Sequence, residues 1–190
     1  QNLWPTGCSR VMKTAAGGAV IDTVQRPAQE LADPRRLLLA YLDFYRSVIA
    51  RKLDGLAESE LRSSRLPSGW TPLELLKHLV YMEARWLRWG FVAEQLAAPW
   101  GDEDESGRWH VHPQDTAADL LAALDAGGTR TRAIVAGAEL TDIAAAGGRF
   151  ADGDRRPTLA WILFHVLQEY ARHAGHLDVS RELLDGAVGE

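Results

Sequence analysis

Four segments of this chain repeat apolar residues at spacings of three and four, and stretches rich in breakers separate them. That spacing is the period of an α-helix with one buried face. No strand alternation of useful length and no short repeat competes with it. The first segment runs from Asp33 to about Leu56, where Leu38, Leu42, Tyr45, Ile49 and Leu53 form one stripe. Asp33 then Pro34 is a cap followed by a proline at the first helical position. Thr71 and Pro72 repeat that start, and Glu74 adds a capping box. This second segment continues to about Leu96, with Leu75, His78, Leu79, Met82, Trp86 and Trp89 on one face. A third spans about Asp115 to Ala138, with a weakened or bent centre expected at Gly127–Gly128. The fourth runs from Thr158 to Gly186, a natural terminating glycine. The expected fold is all-α, a four-helix bundle with a long connection between its second and third helices.

Length and charge narrow the functions. The 190 residues suit one domain with one sizeable core. Residues 31–190 are assigned to the bundle, and residues 1–30 to an N-terminal tail, in part disordered or an upstream extension. The net charge of −5, with arginines scattered along the chain, gives no reason to expect nucleic acid. No apolar run approaches the roughly 20 residues of a membrane span. Cys8 is the sole cysteine, so no intrachain disulfide forms, which fits a reducing cytoplasm.

The last helix carries the chemistry. In HVLQEYARHAGHLDVSRELLDG, residues 165–186, His165, Glu169, His173 and His176 fall near one stripe. Positions four apart differ by about 40° around a helix axis, so Glu169 and His173 project from adjacent turns of one face. His78, embedded in the apolar stripe of the second helix, can approach them. Two imidazoles and a carboxylate suit a catalytic zinc site with one position left open. Spacing alone does not choose among the pairs, because His165–Glu169 and His173–His176 also satisfy it. A single histidine in such a place is more often a hydrogen-bonded residue of the core or its boundary.

The stretches WTPLELLKHLVYMEARWL, PWGDEDESGRWHVHPQDT and LAWILFHVLQEYARHAGHLDVSRELLDG together resemble the DinB/YfiT-like superfamily, and within it the mycothiol-dependent branch. Many members pair a histidine of the second helix with HxxxH on the last. Here Glu169 takes the first place of that pair. The sequence is similar in this respect to the metal-binding domain of mycothiol-dependent maleylpyruvate isomerases, although no appended domain like theirs is evident. The resemblance implies His78, Glu169 and His173 as metal ligands. Zinc is the expected ion, and nickel or iron accept the same donors. His165 and His176 then fall outside the ligand set. His176 is the candidate proton carrier or substrate contact, against a plainer role as a hydrogen-bonding support.

The resemblance also implies mycothiol as cosubstrate. The expected reaction is thiol S-transfer, in which mycothiol, activated as a zinc-bound thiolate, is conjugated to a small electrophile in a detoxification role. Cys8, in the tail, is a poor nucleophile. Trp70, Trp100 and Trp109 are the candidate walls for the thiol cosubstrate, whereas Trp86 and Trp89 fit core packing. The acidic run Asp102–Glu105 is expected as a solvated rim, or as a contact for sugar hydroxyls or an amine of the cosubstrate. The alternatives are a metal-dependent hydrolase, a thiol-dependent isomerase and a non-enzymatic, stress-associated metal-binding bundle. A homodimer is admitted as an assembly.

Overall fold

Capping chemistry sets where the helices begin in a computed structural model that describes residues 25–188. Helix α1 spans Pro34–Leu53, and the Asp33 carboxylate accepts from Arg36 N at 2.7 Å. After a short α2, Glu58–Leu61, α3 spans Pro72–Ala84. The capping box forms as expected: Thr71 Oγ1 accepts from Glu74 N, and Glu74 Oε2 accepts from Thr71 N at 2.8 Å. Helix α4 spans Ala117–Ala136 from a Thr116 cap, and α5 spans Leu159–Asp185 from a Thr158 cap. Gly186 closes α5 at φ 77°, a conformation in which a Cβ is costly. The tail, and Cys8 with it, lies outside the described residues except for a turn near Ala28–Leu31.

Each long helix packs against two others, in the order α1, α5, α3, α4 and back to α1. The fold is an all-α bundle, and the described residues hold only isolated β-bridges, no strand. Leu42 and Ile49 from α1, Leu75 and Leu79 from α3, Val135 from α4, and Ile162, Val166 and Leu177 from α5 are fully or almost fully buried. Burying each such side chain is worth roughly 1.5–3 kcal/mol.

The second helix departs from expectation. It does not run on as an α-helix to Leu96; beyond Ala84 it widens into a π-helical segment, Arg85–Phe91. Gly90 fits this turn because a Cβ there would lie 2.9 Å from the Arg85 carbonyl oxygen. The last carbonyls of the segment are satisfied from the α4–α5 loop: Arg149 N donates to Trp89 O at 3.1 Å and Ala145 N to Phe91 O at 2.8 Å. Gly148 makes that approach possible, since a Cβ there would sit 2.1 Å from Trp89 O. Helix α4 keeps its helical hydrogen bonding through Gly127–Gly128. Gly128 has a packing reason: a Cβ there would come within 3.0 Å of the Arg46 guanidinium.

That guanidinium belongs to a polar cluster inside the bundle. Glu83 of α3 is 3% exposed, and its carboxylate accepts from Arg46 of α1, Thr131 of α4 and Tyr170 of α5. The Tyr170 hydroxyl lies 2.6 Å from Glu83 Oε2, and Arg46 Nε lies 3.1 Å from the same oxygen. Burial works against the Arg46 charge, but Glu83 more than offsets it and holds the guanidinium firmly protonated. Burial and the adjacent Glu83 charge both drive the Tyr170 phenol well above its ordinary range.

Removing one partner of such a cluster strands the other charge in a low-dielectric interior. Glu83→Ala is expected to lower stability by about 3–5 kcal/mol. Urea denaturation followed by circular dichroism measures it, and an unchanged midpoint would show that the cluster contributes nothing to the fold.

Candidate metal centre

Helix α5 supplies two donors by periodicity alone. Glu169 and His173 stand one turn apart, with Glu169 Oε2 and His173 Nε2 separated by 3.2 Å. Helix α3 brings His78, whose ring centroid lies 5.1 Å from that of His173. One donor atom from each of His78, Glu169 and His173 lies within 4.8 Å of the others. Two donors bound to one tetrahedral zinc at about 2.0–2.1 Å stand roughly 3.3–3.4 Å apart, so the Glu169–His173 pair is already at ligand spacing. The donor chemistry fits as well. His173 is 5% exposed, and burial first, then the charges of His78, His176 and Arg172, push its imidazole down to about 3. The imidazole is therefore neutral at neutral pH, the form that can bind a metal. The three residues could hold a metal ion.

The ring nitrogens facing away from this point are also held. His78 Nδ1–H donates to Asp102 Oδ2 at 3.0 Å, which leaves Nε2 as the donor atom. Asp102 is fully buried and is gripped from its other side by the Arg85 guanidinium, with Nη2 to Oδ2 at 3.1 Å. Burial works to raise the Asp102 carboxyl, but the hydrogen bonds from His78 and Arg85 outweigh it and keep the group below its ordinary value. His173 turns Nδ1 toward His176 Nδ1 at 3.2 Å. With His173 Nε2–H donating to the Glu169 carboxylate, its Nδ1 accepts from His176; a metal on Nε2 would require the other tautomer, with Nδ1–H donating to His176.

The acidic run therefore divides in a way that composition did not reveal. Asp102 is an interior residue, not part of a solvated rim. Asp104 ties off a tight turn, accepting from Ser106 N at 2.8 Å and Arg108 N at 3.1 Å, with Gly107 at φ 78°. This turn closes a hairpin. Asp102 O accepts from His110 N at 2.8 Å, and Glu103 bridges Trp109. Asp102 thus sits at the edge of the His78 ring while Trp109 stacks on its face, at 4.3 Å and 24°.

The tryptophans separate too. Trp109 also meets His173 edge-on at 5.3 Å, and Trp70 lies 5.9 Å from His176 and 6.4 Å from Trp109. Both line a cavity of about 460 Å³ that adds Glu74, Asp104, Arg108 and His110. Trp100 stands elsewhere: its ring covers the Arg85 guanidinium at 4.4 Å and lies 6.4 Å from Trp89. His165, one turn below Glu169, makes its ring contacts with a different set of residues from His173 and His176. It stacks on Trp161 at 5.2 Å and meets Trp86 at 4.5 Å. Sequence reasoning missed the role of Asp102 and Arg85. Arg85 carried a faint signal, two helical turns beyond His78 on the same stripe. Asp102 carried none that sets it apart from the three acids after it.

A model of the mycothiol-S-transferase family matches residues 37–186, from the first turn of α1 to the cap of α5. No curated protein shows significant similarity to the chain. The family match takes in His78, Asp102, Glu169, His173 and both cavity tryptophans, and on that evidence the chain belongs to the mycothiol-S-transferase family, as an enzyme of DinB-like all-α fold.

Proposed function

We propose that this enzyme joins the sulfur of mycothiol to a small electrophile at the cleft between α3 and α5. His78, Glu169 and His173 would hold a divalent metal, zinc by donor type. When bound, such an ion lowers the pKa of a neighbouring thiol and makes its sulfur nucleophilic near neutral pH. The observation that carries this reading is the Glu169–His173 pair at ligand spacing, opposite a His78 whose second nitrogen is fixed by a buried carboxylate.

The chain's own groups divide the remaining work. Asp102 and Arg85 fix the tautomer and tilt of His78. Trp70 and Trp109 offer flat faces to the sugar rings of the thiol cosubstrate. Glu74, Asp104 and Arg108 around the cavity present donors and acceptors to its hydroxyls. His176, which is not needed as a ligand and touches both His173 and Trp70, is the candidate to take up the thiol proton. Trp100 has no contact with the cavity, so its part is to cover Arg85. In a displacement, a bond forms from sulfur to the electrophilic carbon. The leaving group departs with the bonding electron pair, and the thiol proton passes to base or solvent. A reducing cytoplasm, with the thiol pool it implies, is the setting that suits this chemistry.

The test is zinc-loaded protein with mycothiol and chlorodinitrobenzene, with product scored as the thioether and released chloride. Protein-dependent conjugation is expected, and His78→Ala and His173→Ala should lose both metal uptake and rate. Metal-loaded protein that forms no conjugate across a panel of electrophiles would overturn the transferase reading. Loss of metal uptake in neither variant would overturn the ligand assignment, and uptake of zinc, nickel and iron compared by titration identifies the preferred ion. Asp102→Asn should weaken zinc binding about 10–100-fold, read by competition with a chromophoric chelator, while the helical circular dichroism spectrum is retained.

A further inference from the structure

One turn before Glu169 on α5 lies a second aromatic cluster that the candidate metal centre does not use. Trp86 meets His165 at 4.5 Å, Trp161 at 5.4 Å and Phe150 at 6.4 Å, and Trp161 lies parallel to His165 within 6°. Trp161 is 52% exposed, while Trp86 and Phe150 are partly buried against the core, so the cluster stands at the boundary between core and solvent. His165 and Trp161 also line a groove of about 470 Å³ with Tyr41, Tyr45 and Phe164. His165 precedes Glu169 by one turn, roughly 6 Å along the axis.

Arg149 stands over this cluster. Its guanidinium carbon lies 4.2 Å from the Trp86 ring centroid and 5.6 Å from that of Trp100. Among the described residues, no carboxylate pairs with that guanidinium and no acceptor takes a hydrogen bond from it. Every other charge near it is spoken for or repulsive, since Arg85 is already committed to Asp102. Burial, and next the Arg85 charge, lower the Arg149 pKa, so an added anion would find a cation short of compensation. The side chain is also held in place. Its backbone N–H donates to Trp89 O, and Gly148 fits tightly against the same carbonyl. A guanidinium stacked on an indole face keeps its N–H edge free, and that edge matches a carboxylate in two parallel bonds.

We infer that Arg149, Trp86, Trp161 and His165 form a subsite for a planar aromatic group bearing a carboxylate. The rings receive the aromatic body and the Arg149 edge receives the anion. One turn below Glu169, this subsite lies on the opposite side of the metal ligands from the Trp70–Trp109 cavity. It therefore suits the electrophile while the thiol cosubstrate occupies that cavity. The assignment to the electrophile rests on the transferase reading; the anion site itself does not.

Two arms keep these separable. Isothermal titration of the purified protein, without thiol, compares dinitrobenzoate with dinitrobenzene. The carboxylate is expected to bind about tenfold tighter or more, as a charge-assisted pair provides. Arg149→Gln should bring the two probes to equal affinity, and Arg149→Lys, which keeps the charge but loses the fork, should retain part of the preference. Equal binding of both probes to the wild-type protein, or a preference that survives Arg149→Gln, overturns the subsite. The second arm repeats the comparison as turnover with mycothiol, using chlorodinitrobenzoate and chlorodinitrobenzene. In this displacement the sulfur–carbon bond replaces the carbon–chlorine bond, chloride leaves, and the thiol proton goes to the buffer. A lower KM for the carboxylate, lost in Arg149→Gln, places the electrophile here. A binding preference with equal KM values for the two electrophiles overturns that placement and leaves the anion site standing. Absence of turnover with both, alongside the binding preference, counts against the transferase reading and supports the anion site.

Discussion

One buried carboxylate ties the four long helices together. Glu83 of α3 receives Arg46 from α1, Thr131 from α4 and Tyr170 from α5, with little water to share the charge. A hydrophobic core specifies that these helices pack, but leucines tolerate sliding by a turn better than a convergent set of directional bonds does. If α5 slipped by one turn, the Tyr170 hydroxyl would leave Glu83, and both groups would be buried without their partner. The cluster thus sets register as well as contributing to cohesion.

That register places the candidate metal ligands. Tyr170 lies between Glu169 and His173 in sequence, and His78 lies just over one turn before Glu83 on α3. Fixing Tyr170 against Glu83 fixes the two candidate donors of α5 against the one of α3. The π-helical segment works at the other end of the same helix. Its wider turn carries Arg85 against Asp102 and Trp86 against His165, so one local irregularity serves both the support of His78 and the lower aromatic cluster. Its exposed carbonyls are met by the loop that carries Arg149.

Much of this was legible in the residues. Asp33–Pro34, Thr71–Pro72, Thr158 and Gly186 marked helix ends because capping is local chemistry. The stripe through Leu38, Leu42 and Ile49 marked a buried face because burial follows the helical period. Glu169 and His173 were visible as a pair for the same reason. The rest depends on contacts between distant segments. Asp102 looks like its acidic neighbours until the hairpin folds it inward. The π-turn leaves no mark that an α-helix would not share, because apolar spacing does not encode which carbonyls a later loop will satisfy. Trp86 does pack against the core, but only the folded chain shows that its ring also meets Trp161 and Arg149. Trp100, grouped by its loop with Trp109, lies with Arg85 because the hairpin turns the two rings apart.

The hairpin from Asp102 to His110 holds the His78 ring at its edge and on its face. It also forms one lip of the cavity beside the ligands. A flap that swung out to admit a bulky guest would take both supports away from the imidazole. The lip of the cavity and the support of the His78 ring are thus one piece of chain, so neither can move without the other.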